Sequence, residues 1–169
     1  MSTWFECKVR YEKRMEDGRE KKVTEPYLVD AVSFTDAEKR IHEMLESYIS
    51  GDFFVTNIKI ANYSEIHPNE NGDRWYKSKV SYINLDEEKG VERKTNSYML
   101  IQANTVKEAF DSIVDLLKDM ISEYDIPAIQ ESPIMDVFPF FKKDEVINDK
   151  IPENYTPLSQ FEEKVEEEI

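Results

Sequence analysis

Two stretches decide the fold: Trp4-Phe5-Glu6-Cys7-Lys8-Val9-Arg10-Tyr11 and Trp75-Tyr76-Lys77-Ser78-Lys79-Val80-Ser81-Tyr82. Trp, Lys, Val and Tyr recur at matched places with an offset of 71. The same offset relates Tyr27 to Tyr98, Ile58 to Ile129, Ala61 to Ser132, Glu65 to Asp136 and Ile66 to Val137. A shared offset over separated segments marks an internal duplication. Each stretch also alternates apolar and polar residues, the period-2 pattern of a half-buried strand.

Outward from these strands, the two halves read alike. Glu16-Asp17-Gly18-Arg19 is a turn signal, followed by a second strand over about 22–33. Glu87-Glu88-Lys89-Gly90 stands in the equivalent place. Glycine between alternating runs predicts a hairpin. Thr35-Asp36-Ala37-Glu38 and Thr105-Val106-Lys107-Glu108 read as capping boxes. Behind them, Ala37, Ile41, Met44, Leu45 and Tyr48 share one helical face, as do Val106, Phe110, Ile113, Leu117 and Met120. The caps differ by 70, which places a one-residue slip in the preceding strand. Strands over 54–66 and 126–138 close the halves. Pro127 and Pro133 restrict the latter to an edge or a bulged strand, since proline donates no ladder hydrogen bond.

The predicted architecture is α+β: two tandem β-β-α-β repeats, 3–66 and 74–138, in one mostly antiparallel or mixed sheet with both helices on one face. The loop Ser64–Asp73, rich in turn formers, links the repeats within a single domain over 1–140. Residues 141–169 carry nine acidic and four basic side chains with Pro152 and Pro157, and read as an acidic, partly disordered tail.

Lys+Arg of 22 against Asp+Glu of 36 gives a net charge of −14. That field repels phosphate backbones and disfavours nucleic acid as a partner. Cys7 is the one cysteine, so no internal disulfide is available, which points to a reducing, cytoplasmic setting. Charges from Glu6 onward argue against a secretory signal, and no stretch approaches the 18 or so apolar residues a membrane helix needs.

The Trp4-Phe5-Glu6…Lys8…Arg10-Tyr11 opening, the Ala31-Val32-Ser33-Phe34-Thr35-Asp36-Ala37-Glu38 helix start and the Pro133-Ile134…Asp136-Val137-Phe138-Pro139-Phe140 close resemble an uncharacterised domain family of gut bacteria and their bacteriophages. The resemblance covers about residues 3–140. It implies a small intracellular protein, allows a phage or mobile-element origin, and supplies no catalytic residues.

Motifs that carry chemistry are few. His42 has Glu38 and Glu46 at i−4 and i+4, but a helical histidine beside glutamates is ordinarily a solvated surface group. His67 is the only other histidine, which leaves a triad or two-His metal site without partners. Asn69-x-Asn71-x-Asp73 begins like a calcium loop, yet its glycine falls at the fourth position and Val80 stands where the bidentate glutamate belongs. Cys7 alternates with Phe5 and Val9 and reads as a buried, inert thiol. With four glycines in the chain, no phosphate-cradling loop is present. The expectation is therefore no catalytic residue, no metal, no cofactor and no enzyme.

Strand parity places Trp4, Trp75, Lys8 and Lys79 on the face opposite Val9, Tyr11, Val80 and Tyr82. If the latter face the helices, the former, joined by Tyr27 and Tyr98, line an open surface suited to stacking and cation–π contact. The competing reading is that this face closes on itself, on the tail or on a second subunit. The leading functional expectation is a non-enzymatic protein that binds a protein partner, a basic one included, or forms a homo-oligomer. The alternative is a small-ligand sensor with a cleft between the repeats lined by Trp4, Trp75, Tyr27 and Tyr98. A single-strand nucleic-acid binder using the same aromatics ranks below both.

Overall fold

The computed structural model describes residues 3–139, which belong to one compact unit; the acidic tail lies outside the described residues. Its elements are β1 (Thr3–Arg14), β2 (Glu20–Ala31), α1 (Phe34–Leu45), β3 (Phe53–Ile60), β4 (Glu65–His67), β5 (Arg74–Asp86), β6 (Val91–Ala103), α2 (Val106–Leu117), β7 (Glu123–Ser132) and β8 (Val137–Phe138). The α+β class and the β-β-α-β order are as the sequence predicts.

The single sheet is not. The strands form two four-stranded sheets, ordered β3-β1-β2-β8 and β4-β6-β5-β7. The cause lies in the closing strands. Each predicted run, 54–66 and 126–138, breaks after its first part. The chain then crosses over, and its last residues pair in the other repeat's sheet. Ile66 of β4 lies parallel beside Leu100, and Val137 of β8 lies parallel beside Leu28. Pro133 falls in the second break, where a missing donor costs least. The two repeats thus exchange their final strands reciprocally.

Backbone register fixes the true offsets. Trp4 pairs with Asp30 and Trp75 with Gln102; Cys7 pairs with Tyr27 and Ser78 with Met99. The offset is 71 between the first strands but 72 between the second. The helix caps follow suit. Ser33 caps α1, accepting from the Asp36 amide at 3.1 Å, and Thr105 caps α2, accepting from the Glu108 amide at 3.1 Å. Asp36 and Glu108 reach back to the amides of Val32 and Asn104 at 3.1 and 2.9 Å. The first cap is therefore Ser33 and not Thr35, and the one-residue slip sits in the hairpin turn, where an extra residue disturbs no ladder. The 71 offset returns in the closing strands, where Ile58 pairs with Cys7 and Ile129 with Ser78.

Each helix covers its own sheet. Ala37, Ile41 and Leu45 pack on Phe5, Cys7, Val9, Tyr27 and Val29. Ala109, Ile113 and Leu117 pack on Tyr76, Val80, Met99 and Ile101. Of the helical residues expected inside, Met44, Tyr48, Val106, Phe110 and Met120 are exposed. With twelve-residue helices against four-stranded sheets, only the central i, i+4, i+8 row is enclosed. Both β3 and β7 are edge strands with a bulge opposite the first strand of their repeat. Pro127 sits in the β7 edge as its ring requires.

A third core lies at the seam of the sheets. Leu28, Trp75, Leu100 and Ile134 are its buried members, with Trp4, Ala61, Tyr63, Ile66 and Val137 packed against them.

Candidate functional site

The parity argument holds for the helix-facing residues: Val9 and Val80 lie under the helices and both tryptophans face away from them. The open aromatic surface does not form. Trp75 is 4% exposed and Trp4 half-buried, because the faces turned from the helices close on each other at the seam. Tyr27 departs further. The 72 offset between second strands makes Met99, not Tyr98, its counterpart, so Tyr27 points under α1. There its ring stacks on Phe138 at 5.9 Å and its hydroxyl donates to Glu25 at 3.1 Å. Tyr98, paired with Lys79, is on the opposite face and 38% exposed. Lys8 is exposed and Lys79 half-buried. Of the six predicted site residues, then, Lys8, Lys79 and Tyr98 reach solvent, and Trp4, Trp75 and Tyr27 serve packing.

A cavity of about 350 Å³ opens beside the seam core, lined by Glu6, Lys59, Ile60, Ala61, Asn62, Tyr63, Lys77 and Tyr98. Residues of β1 and β3 meet residues of β5 and β6 there, so both repeats contribute. Lys59 is neutralised by Glu6 at 3.0 Å. The Lys77 ammonium stands 4.9 Å from the centre of the Tyr98 ring and 5.9 Å from that of Tyr63. Burial, then the Glu6 carboxylate, pushes the Tyr63 phenol up, so it remains a neutral hydroxyl. Of this constellation the sequence reading contained Tyr98 alone. Lys77 and Glu6 occupy equivalent repeat positions, and that pairing was the available signal; Tyr63 falls between aligned positions but is matched with Ile134, so the repeat does not mark it.

Two further features are exposed. Beyond Tyr11, β1 and β2 run on as a two-stranded ribbon to the turn at Gly18, and β5 and β6 do so beyond Ile83 to Gly90. Residues 10–24 hold six basic and four acidic side chains in a chain of net charge −14. Arg14 and Lys22 on this arm, and Lys8 and Arg10 ahead of it in β1, have no ion pair among the described residues. On the second arm, Leu85 is 64% exposed and Val91 54%. At the base of the first arm, Arg10, Lys22, Phe54, Glu12, Glu20 and Asp52 line a polar hollow of about 450 Å³.

The residues weighed for chemistry sit as follows. Cys7 is buried beneath α1, and burial, then Glu6, pushes its thiol up to about 12, far from a reactive thiolate. His42 is half-buried rather than solvated, its ring 5.1 Å from that of Phe53. His67 lies in β4 beside Ile101. Asn69 accepts from the Asn71 amide at 3.1 Å, and Gln102 and Asn104 tie the same loop to the end of β6. Among the described residues no group of three or more His, Cys, Asp or Glu side chains is placed to hold a metal ion. No helix among them is long and apolar enough to cross a membrane.

No curated protein and no solved structure matches the chain. A family model does, over residues 3–140, a span that takes in both repeats and their exchanged strands. The chain belongs to the DUF4494 family, described as a domain of unknown function.

Proposed function

We propose that this chain is a non-enzymatic binding protein that engages a protein partner through its two hairpin arms. The observation that carries this reading is that the distal ends of both hairpins lie outside all three cores. A two-stranded ribbon is at best marginally stable on its own, and these ends add nothing to the packing of the helices. The duplication nevertheless keeps both. They present Arg14 and Lys22, without an ion pair among the described residues, on one arm and exposed Leu85 and Val91 on the other, the mixture of charged and apolar groups found at protein interfaces. Lys8, Lys79 and Tyr98 lie in the body of the sheets, on the faces turned from the helices, and reach solvent there. A homo-oligomer built through the arms is the same proposal with a second copy as the partner. The single buried thiol supports a cytoplasmic setting, and the resemblance to a family of gut bacteria and their phages supports a mobile-element origin.

The test uses Arg14→Glu with Lys22→Glu on the first arm and Leu85→Lys on the second. All three are exposed, so stability is expected to stay within about 0.5 kcal/mol. Cross-linking in the native cell followed by mass spectrometry is expected to lose one specific partner in the arm variants. An unchanged cross-link pattern with the fold intact would remove the arms from consideration.

A second reading, a small-ligand sensor with its cleft between the repeats, is favoured by the seam cavity. Its volume falls at the low end of ligand pockets, and both repeats line it.

A further inference from the structure

The seam cavity holds three charged side chains, Glu6, Lys59 and Lys77. Glu6 and Lys59 cancel each other at 3.0 Å. Lys77 has no carboxylate within ion-pair distance among the described residues; two tyrosine rings hold it instead. In a chain with 36 acidic side chains, this leaves a cavity with one net positive charge. A ring face attracts an ammonium without neutralising it, so the cation is positioned and still available. Around it stand an apolar wall, Ile60 and Ala61, a neutral phenol donor, Tyr63, and the accessible ring of Tyr98.

The repeat shows that this arrangement is particular to one side of the seam. The positions equivalent to Tyr63 and Tyr98 are Ile134 and Pro26. There Ile134 is 4% exposed and belongs to the seam core. The same backbone thus carries an apolar plug on one side, and a lysine held over two phenol rings beside a cavity on the other.

Resting on the second reading above, we propose that the seam cavity binds a small organic carboxylate with a flat apolar body. The carboxylate pairs with the Lys77 ammonium and accepts from the Tyr63 hydroxyl. The flat body lies on the Tyr98 ring against Ile60. A cavity of about 350 Å³ limits the ligand to roughly a dozen non-hydrogen atoms.

The full chain is titrated with benzoate, benzyl alcohol and benzylamine, following amide shifts by NMR. Benzoate is expected to saturate with a Kd on the order of 1 mM, as suits so small a ligand, with shifts centred on Tyr63, Lys77 and Tyr98. Lys77→Gln is expected to weaken benzoate at least tenfold, Lys77→Arg to retain it and Lys107→Gln to leave it unchanged. Melting curves establish that each variant folds. Should Lys77→Gln fail to fold, Tyr98→Ala on the exposed ring serves in its place, with a several-fold loss expected. Benzyl alcohol binding as tightly as benzoate would overturn the anionic class while leaving the cleft. Absence of saturation by all three probes would overturn the cleft as well. Benzoate binding that survives Lys77→Gln would move the site elsewhere.

Discussion

The two repeats share a backbone and differ in what they ask of it. Both place a capped twelve-residue helix over a bulged three-stranded sheet and lend a short strand to the other. Yet the first repeat receives Phe138 from the second, whose ring stacks on Tyr27, and returns His67 to the equivalent place. Under the helices the first carries Cys7 and the second Ser78. On the helix flank the first carries Glu38 and His42, the second the exposed Phe110 and Val114. Hydrogen-bonded register and burial are alike in the two repeats. The side chains that touch the other repeat or the solvent differ, and there the two repeats present different surfaces.

The largest expected contrast is at the seam. Trp75 is buried and Trp4 half-buried at equivalent positions. Trp75→Ala is expected to cost about 3–5 kcal/mol, as for a buried large-to-small change, and Trp4→Ala clearly less. Denaturant midpoints decide it. A Trp4 variant as damaged as its counterpart would mean that the seam is symmetric after all. The double variant is expected to unfold, which makes it unusable as a probe of binding.

Next comes the linker. A Cβ on Gly72 would lie 2.7 Å from the Ala103 nitrogen and 2.8 Å from its Cα, both backbone atoms of β6. Nothing there can swing aside, so Gly72→Ala is expected to cost about 1–3 kcal/mol by forced displacement. Gly72→Ala with an unchanged melting temperature would show that the loop between the repeats is not held against β6.

The repeat was legible because strands of period 2 carry their identity in alternation, and Trp4 with Trp75 anchored it. The helices were legible from their i, i+4 rows, although the first cap was placed two residues late. What escaped is what a pattern along one chain cannot contain. The crossing of β4 and β8 depends on partners about 35 and 110 residues away along the chain. A single residue added in a turn, invisible to strand periodicity, moved Tyr27 and Tyr98 to opposite faces. That slip removed Tyr27 from the aromatic surface and left Tyr98 on it. Burial of Trp75 and half-burial of Trp4 removed two more, since parity gives a side and not what covers it. Lys77 does not stand out in the sequence, because a lysine's role rests on its neighbours, here Tyr63 from the loop after β3 and Tyr98 from β6.

Cys7 and Ser78 offer a smaller, reciprocal contrast. Both are fully buried under their helices, and the Ser78 hydroxyl has no hydrogen-bond partner among the described residues. A buried donor without a partner carries its full desolvation penalty. Cys7→Ser is expected to lose about 1–3 kcal/mol by creating the same defect in the first repeat, whereas Ser78→Ala is expected to be neutral or stabilising. Thermal melts of the two variants side by side give the sign directly. Destabilisation by Ser78→Ala would show that the hydroxyl does find a partner.

The smallest contrast is one of pH. Tyr11 and Tyr82 are equivalent, but their partners differ: the Tyr11 hydroxyl donates to Glu25 at 2.8 Å, and Ser97 replaces Glu25 in the second repeat. Burial, then the hydrogen bond and charge of Glu25, pushes the Tyr11 phenol up to about 12 from 10.0. The folded state therefore holds this proton more tightly than the unfolded chain. Its contribution is fully present below pH 10 and is lost as pH rises toward about 12. Tyr27, which shares Glu25 and is also pushed up, acts in the same direction. Wild type and Tyr11→Phe are compared by denaturant midpoint at about pH 9 and about pH 11.5. The Tyr11 variant is expected to lose less stability across that window than wild type. Equal losses in the two would mean that Glu25 does not hold the Tyr11 proton. The first repeat would then owe its alkaline sensitivity to Tyr27 alone, inside the packed core beneath α1, rather than to the half-buried phenol at the root of its arm.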